Sequence, residues 1–91
     1  MLYLVHMVVN IPHDLPQEQA AKLIAEEKQY SQELQRSGKW ANIWRVVGKY
    51  ANYSVFDVKD NEELHELLRQ LPLFPYMDIT VTPLATHPSA V

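Results

Sequence analysis

The chain has 91 residues, 47% of them aliphatic or aromatic, with eight basic and eleven acidic side chains and a formal net charge of −3. That length supports one domain burying about 60–65% of its unfolded surface; the apolar content excludes disorder, and the negative charge argues against a nucleic-acid or anionic-membrane partner. Cysteine is absent, which removes disulfides, thiolate metal sites and cysteine nucleophiles together; with no bilayer-length apolar run and no basic leader, the chain reads as a soluble cytoplasmic domain.

The first element is LYLVHMVV (residues 2–9), apolar at both parities except His6 and too short for a helix. It reads as a strand buried on both sides, one face against helices and the other against a second subunit. His6 is assigned to that interface rather than to catalysis. Residues 10–16 form a connection with two prolines. Asp14 followed by Gln17 resembles a capping box, with Pro16 in the first helical turn. The helix is expected to run to about Ser37, where Gly38 suits a left-handed C-terminal cap.

At 100° per residue, Ala20, Leu23, Ile24, Tyr30, Ser31 and Leu34 make one stripe of this helix. Glu27 falls near the middle of it, and Lys28 lies at its margin. A carboxylate facing a sheet loses hydration, so it must find partners or its pKa rises. Two readings follow: an internal ion pair with an arginine such as Arg45, or a general base in a pocket beneath the helix.

Residues 40–58, WANIWRVVGKYANYSVFDV, read as two strands joined by a two-residue turn at Gly48-Lys49. Such a turn pairs Val47 with Tyr50, Arg45 with Asn52 and Ile43 with Ser54. Arg45, Asn52 and Ser54 then share a face with Ile43, Val47, Tyr50 and Phe56, while Trp44, Val46, Ala51, Tyr53 and Val55 make the other. A few polar groups among large apolar ones is how a small-molecule pocket is lined.

Asp60 with Glu63 forms a second capping box, and Leu64, Leu67, Leu68 and Leu71 form a core stripe with His65 at its edge. The segment LPLFPY cannot be regular, with prolines at 72 and 75. Residues 77–82 read as the last strand, stopped by Pro83, and residues 83–91 as a C-terminal tail of the single domain. The order βαββαβ points to an α+β, ferredoxin-like plan: a four-stranded antiparallel sheet with two helices on one face. The apolar second face requires cover, which sheet-to-sheet packing of dimers provides.

The four histidines are scattered without metal-ligand spacing, and the two glycines build no phosphate loop. What remains is a metal-free, cofactor-free site with a carboxylate, an arginine, an amide and phenols. That set suits proton abstraction beside a carbonyl, with Arg45 clamping an anionic substrate. It suits passive binding of a small organic acid equally well.

The hairpin WRVVGKYANYSVFDV, the segment LPLFPYMDI, the terminal His-Pro-Ser, Glu27-Lys28 and Arg36-x-Gly38-x-Trp40 resemble the muconolactone isomerase family of the β-ketoadipate pathway over the whole chain. The resemblance implies a cofactor-free isomerase of the dimeric α+β barrel group that converts (+)-muconolactone to 3-oxoadipate enol-lactone. It also implies a homodecamer built from dimers, with pockets closed partly by neighbouring chains. On that basis Glu27 is the expected proton-transferring base, and Arg45 the holder of the carboxymethyl group or the developing oxyanion. Lys28, Tyr50 and Asn52 are secondary polar contacts, and Trp40 and Phe56 pocket walls. Competing readings are a cofactor-free monooxygenase of the same barrel group, a binding module, and a structural oligomerisation module. Strict anaerobiosis separates the first, and binding without turnover the second; the third shows neither.

Overall fold

A computed structural model describes residues 1–91. The elements are β1 (Leu2–Val9), α1 (Gln17–Arg36), β2 (Trp40–Arg45), β3 (Ala51–Asp57), α2 (Asn61–Arg69) and β4 (Met77–Leu84), with a 3₁₀ turn (Phe74–Tyr76) before β4. The four strands form one sheet in the order β2-β3-β1-β4, with every pair antiparallel. This is the expected α+β ferredoxin-like arrangement. Its most apolar strand, β1, takes a central position, where both of its backbone edges are paired.

Alternation along β1 divides its side chains. Tyr3, Val5, Met7 and Val9 are buried on the inner face. Leu64 and Leu68 of α2 pack into that cluster, and Tyr30 and Leu34 of α1 lie against it. Both helices therefore cover the same side of the sheet. Tyr30 also donates a hydrogen bond to the Leu67 carbonyl at 3.0 Å, joining the two helices. The opposite face is bare: Trp44 is 55% exposed and Tyr53 44%, and Tyr53 stacks on His6.

Local chemistry sets the element ends. At α2, Asp60 accepts a hydrogen bond from the Glu63 backbone, as expected of an N-cap. Gly38 follows α1 with φ at +84°, the left-handed conformation that ends a helix. The start of α1 differs from the expectation. Asp14 does not cap it; Pro16 is the N-cap, with no side-chain hydrogen bond. A helix capped by Asp14 would need Leu15 helical, and the residue before a proline is driven out of the α region.

The hairpin register is the expected one, with Arg45 opposite Asn52 and Ile43 opposite Ser54. The turn is wider than expected. Val47 and Tyr50 do not extend the ladder; Lys49 N–H donates to the Val46 carbonyl at 3.1 Å, and Gly48, at φ +79°, is third in that turn. Positive φ at the third position is what glycine supplies there. A bulge between Trp40 and Asn42 interrupts the other end of β2 and sets Trp40 opposite Phe56. Pro83, expected to stop the last strand, lies inside it opposite Tyr3. β4 is an edge strand, where a missing N–H breaks no ladder.

Candidate active site

Helix α1 contributes no fully buried residue. It packs beside β2, and a cavity of about 280 Å³ lies between it and the hairpin. Glu27, Lys28, Ile24 and Ser31 form its helical wall, and Trp40, Ile43, Arg45, Tyr50 and Asn52 the wall from the hairpin. Leu73, Met77 and Val9 close the third side. Ile24 remains 42% exposed although it belongs to the apolar stripe, because that part of the stripe faces the cavity.

Glu27 is half-buried and takes part in no ion pair. The internal Glu27–Arg45 pair that the sequence allows does not form. Its one hydrogen bond in the chain comes from the Leu73 backbone N–H to Oε1, at 3.0 Å. Loss of hydration raises the carboxyl above its ordinary value of 4.5, and the Leu73 N–H offsets part of that rise. A proton acceptor with one oxygen anchored and the other unpaired results.

The hairpin wall supplies the cationic and polar groups. Arg45 is exposed, with its guanidinium carbon 5.2 Å from the centre of the Tyr50 ring. Its only hydrogen bond is a long one, 3.4 Å, to the Lys49 carbonyl, so the planar fork is available to an anion. Ser54 is fully buried and donates to Asn52 Oδ1 at 2.8 Å. That occupies the Asn52 oxygen and leaves its amide nitrogen as a donor. Lys28 lines the cavity beside Glu27, and Trp40, 1% exposed, forms part of its interior wall.

Phe56 was expected in the pocket wall and does not line the cavity. It is fully buried in the core with its ring 4.7 Å from Trp40, because the bulge in β2 brings the indole across it. Leu73 was not singled out from the sequence. The signal was there in the flanking prolines: the irregular segment between Pro72 and Pro75 leaves an amide with no strand or helix to join. No group of three or more His, Asp or Glu side chains comes together in an arrangement that could hold a metal ion.

The chain matches the family model described as muconolactone delta-isomerase over residues 1–90. The chain belongs to this family. A muconolactone delta-isomerase of Cupriavidus pinatubonensis is 63% identical over 100% of this chain and 99% of its own length. The Rhodococcus opacus protein of the same name is 58% identical over 99% of this chain and 97% of its length. A crystal structure of muconolactone isomerase superposes with a TM-score of 0.95 at 54% identity, covering 100% of this chain and 95% of that one. The muconolactone delta-isomerase fold thus extends through β4 and the tail, well beyond the cavity. A second hollow of about 290 Å³ between α2 and β4 is lined by Tyr3, Asn61 and His65 among apolar groups. It has no carboxylate and no arginine, whereas the cavity beneath α1 has both.

Proposed function

We infer that this chain is a cofactor-free isomerase that moves the ring double bond of (+)-muconolactone to give 3-oxoadipate enol-lactone, in catechol degradation through the β-ketoadipate pathway. The observation that carries this reading is Glu27: a half-buried, unpaired carboxylate in a cavity shared with an unpaired arginine. In an α,β-unsaturated lactone the γ-proton is acidified because its removal gives a dienolate delocalised to the exocyclic oxygen. Glu27 takes that proton as the γ C–H bond breaks. The electron pair moves through the ring, and return of the proton to the α-carbon forms the new C–H bond and restores the carbonyl. One carboxyl group serves both steps, since the two carbons belong to one small ring.

Desolvation helps, because a carboxylate with a raised pKa is a stronger base for a weak carbon acid. Arg45 holds the anionic end of the substrate as a planar fork. Lys28, Tyr50 and Asn52 provide further polar contacts, and Trp40 an aromatic wall. The protein works in the cytoplasm as a homo-oligomer, a decamer built from dimers, with the bare sheet face as the dimer contact. Exposed Trp44 and Tyr53 support that contact. No helix is long and apolar enough to cross a membrane.

Proton NMR of (+)-muconolactone incubated with the protein in D2O tests the reading. Enol-lactone signals are expected, and their deuterium content at the α-carbon reports whether Glu27 exchanges its proton with solvent before returning it. Unchanged substrate beside folded protein would leave a binding module as the better description.

A further inference from the structure

Every buried residue but one is hydrophobic, and the exception is Ser54, with no exposed surface. Its strand, β3, lies between β2 and β1, so backbone groups on both edges are taken up in ladders. The Ser54 hydroxyl donates instead to a side chain, Oδ1 of Asn52, at 2.8 Å. Asn52 stands opposite Arg45 on β2 and Met7 on β1. Met7 is buried on the inner face, and residues directly opposite one another share a face, so Asn52 is turned toward the helix side. Nδ2 of Asn52 has no partner in the chain, yet it is not among the buried unpaired atoms, where Trp40 Nε1 stands alone. That nitrogen is therefore open to solvent. Asn52 lines the cavity beside α1 and an adjoining hollow of about 250 Å³, and both share Arg45 and Tyr50. A flipped amide would set N–H groups against the hydroxyl and leave the hydroxyl proton buried without an acceptor, which is unfavourable.

We propose that Ser54 is a positioning residue: its buried hydroxyl locks the Asn52 amide with the nitrogen toward the cavity, where it donates to the exocyclic lactone oxygen and to the oxyanion of the dienolate. The proposal rests on the isomerase reading above and gives Asn52 one defined task. In the substrate, the carboxymethyl group and the exocyclic oxygen leave the ring on either side of the ring oxygen. Directly opposite residues of an antiparallel pair keep their Cβ atoms about 4.5–5.5 Å apart, so Arg45 and Asn52 can hold one end each. Arg45 carries a full charge and suits the carboxylate. The neutral amide suits an oxygen that is neutral in the substrate and gains charge only as the γ C–H bond breaks. A donor aimed beforehand needs no reorganisation at that moment, so its hydrogen bond strengthens in the transition state. Without Ser54 the amide rotates, and its oxygen in the same place would oppose the developing charge.

A double-mutant cycle on turnover tests this. Ser54→Ala is expected to lower kcat about fivefold or more with KM changed less than threefold, the pattern of an interaction made chiefly in the transition state. In an Asn52→Ala background, where there is no amide to orient, Ser54→Ala is expected to change kcat less than twofold. A purely structural serine would lower kcat by the same factor in both backgrounds, and that result would overturn the proposal, as would parental kcat in folded Ser54→Ala. A second measurement uses the unmodified protein. The side-chain amide pair of Asn52 in a ¹⁵N spectrum is assigned by its loss in Asn52→Ala. Titration with the saturated carboxymethyl γ-lactone, which keeps both acceptor ends and lacks the ring double bond, is expected to move that pair downfield, and to move it less in Ser54→Ala. Saturable binding with the Asn52 amide unmoved would equally overturn the proposal. The isomerase reading fails separately, on unchanged (+)-muconolactone beside folded parent protein, whereas the amide shift reads the Asn52 donor without turnover.

Discussion

At the scale of single residues, Glu27 is governed by two opposing effects. Burial favours the protonated carboxyl, and the Leu73 N–H favours the carboxylate, with burial the larger. A base must be ionised to act, so the acid limb of kcat/KM is expected above the ordinary glutamate value of 4.5, measured with substrate well below saturation. The same shift sets the sign for stability. Relative to the unfolded chain, the folded protein favours the neutral acid; that advantage is complete below 4.5 and is lost as pH rises through the raised folded value. Glu27→Gln, neutral at every pH, is therefore expected to be more stable than the parent at neutral pH in urea titrations, with the difference vanishing in acid. Its kcat is expected to fall by about 10²–10⁴-fold, the usual contribution of a positioned base. Arg45→Lys keeps the charge and loses the fork. A rise of about tenfold to a hundredfold in KM is expected, corresponding to the loss of a hydrogen bond to a charged group. Steady-state kinetics at one pH separates the two variants: the first moves kcat, the second KM.

At the scale of elements, the hairpin of β2 and β3 has a division of labour along its length. Near the turn, Arg45, Tyr50 and Asn52 face the cavity; at the far end, Trp40 and Phe56 anchor the sheet to the helices. Phe56→Ala is expected to cost about 3–5 kcal/mol, as for other buried aromatic truncations. Denaturant unfolding at constant m checks this, while Phe56→Leu, which keeps most of the volume, should retain turnover. The segment between α2 and β4 is the second positioning element. Its prolines allow only the short 3₁₀ turn at Phe74–Tyr76, and the Leu73 amide just before it is directed across the chain to α1 instead of into a ladder. Periodicity made Glu27 legible as an inward carboxylate, yet it could not reveal this donor, because the contact joins residues 46 positions apart. Phe56 was misplaced for a related reason: alternation assigns it a face, and only the bulge decides what stands in front of it.

At the scale of the whole molecule, the radius of gyration is 14.2 Å, against about 12 Å for a compact chain of this size. The long axis is 49 Å, and every residue from Val81 onward is exposed. Such a shape, with Trp44 and Tyr53 uncovered on the sheet, fits a subunit better than a free monomer. The double variant Trp44→Arg with Tyr53→Glu is expected to shift the protein toward smaller species in sedimentation velocity. Neither residue lines the cavity, so loss of activity on dissociation would mean that neighbouring chains complete the site.

The sequence by itself determined the element order, the inner and outer faces of the strands, the hairpin register and the inward carboxylate on α1. Each depends on a period of two or 3.6 residues or on a cap a few positions long, and such signals are local. Tertiary structure alone decided that Glu27 meets Leu73 rather than Arg45, that a one-residue bulge carries Trp40 across to the helix side, and that Pro83 belongs to an edge strand. A slip of one residue reverses a strand's faces, and where such a slip occurs depends on which elements must pack against it, information that is spread over the whole chain.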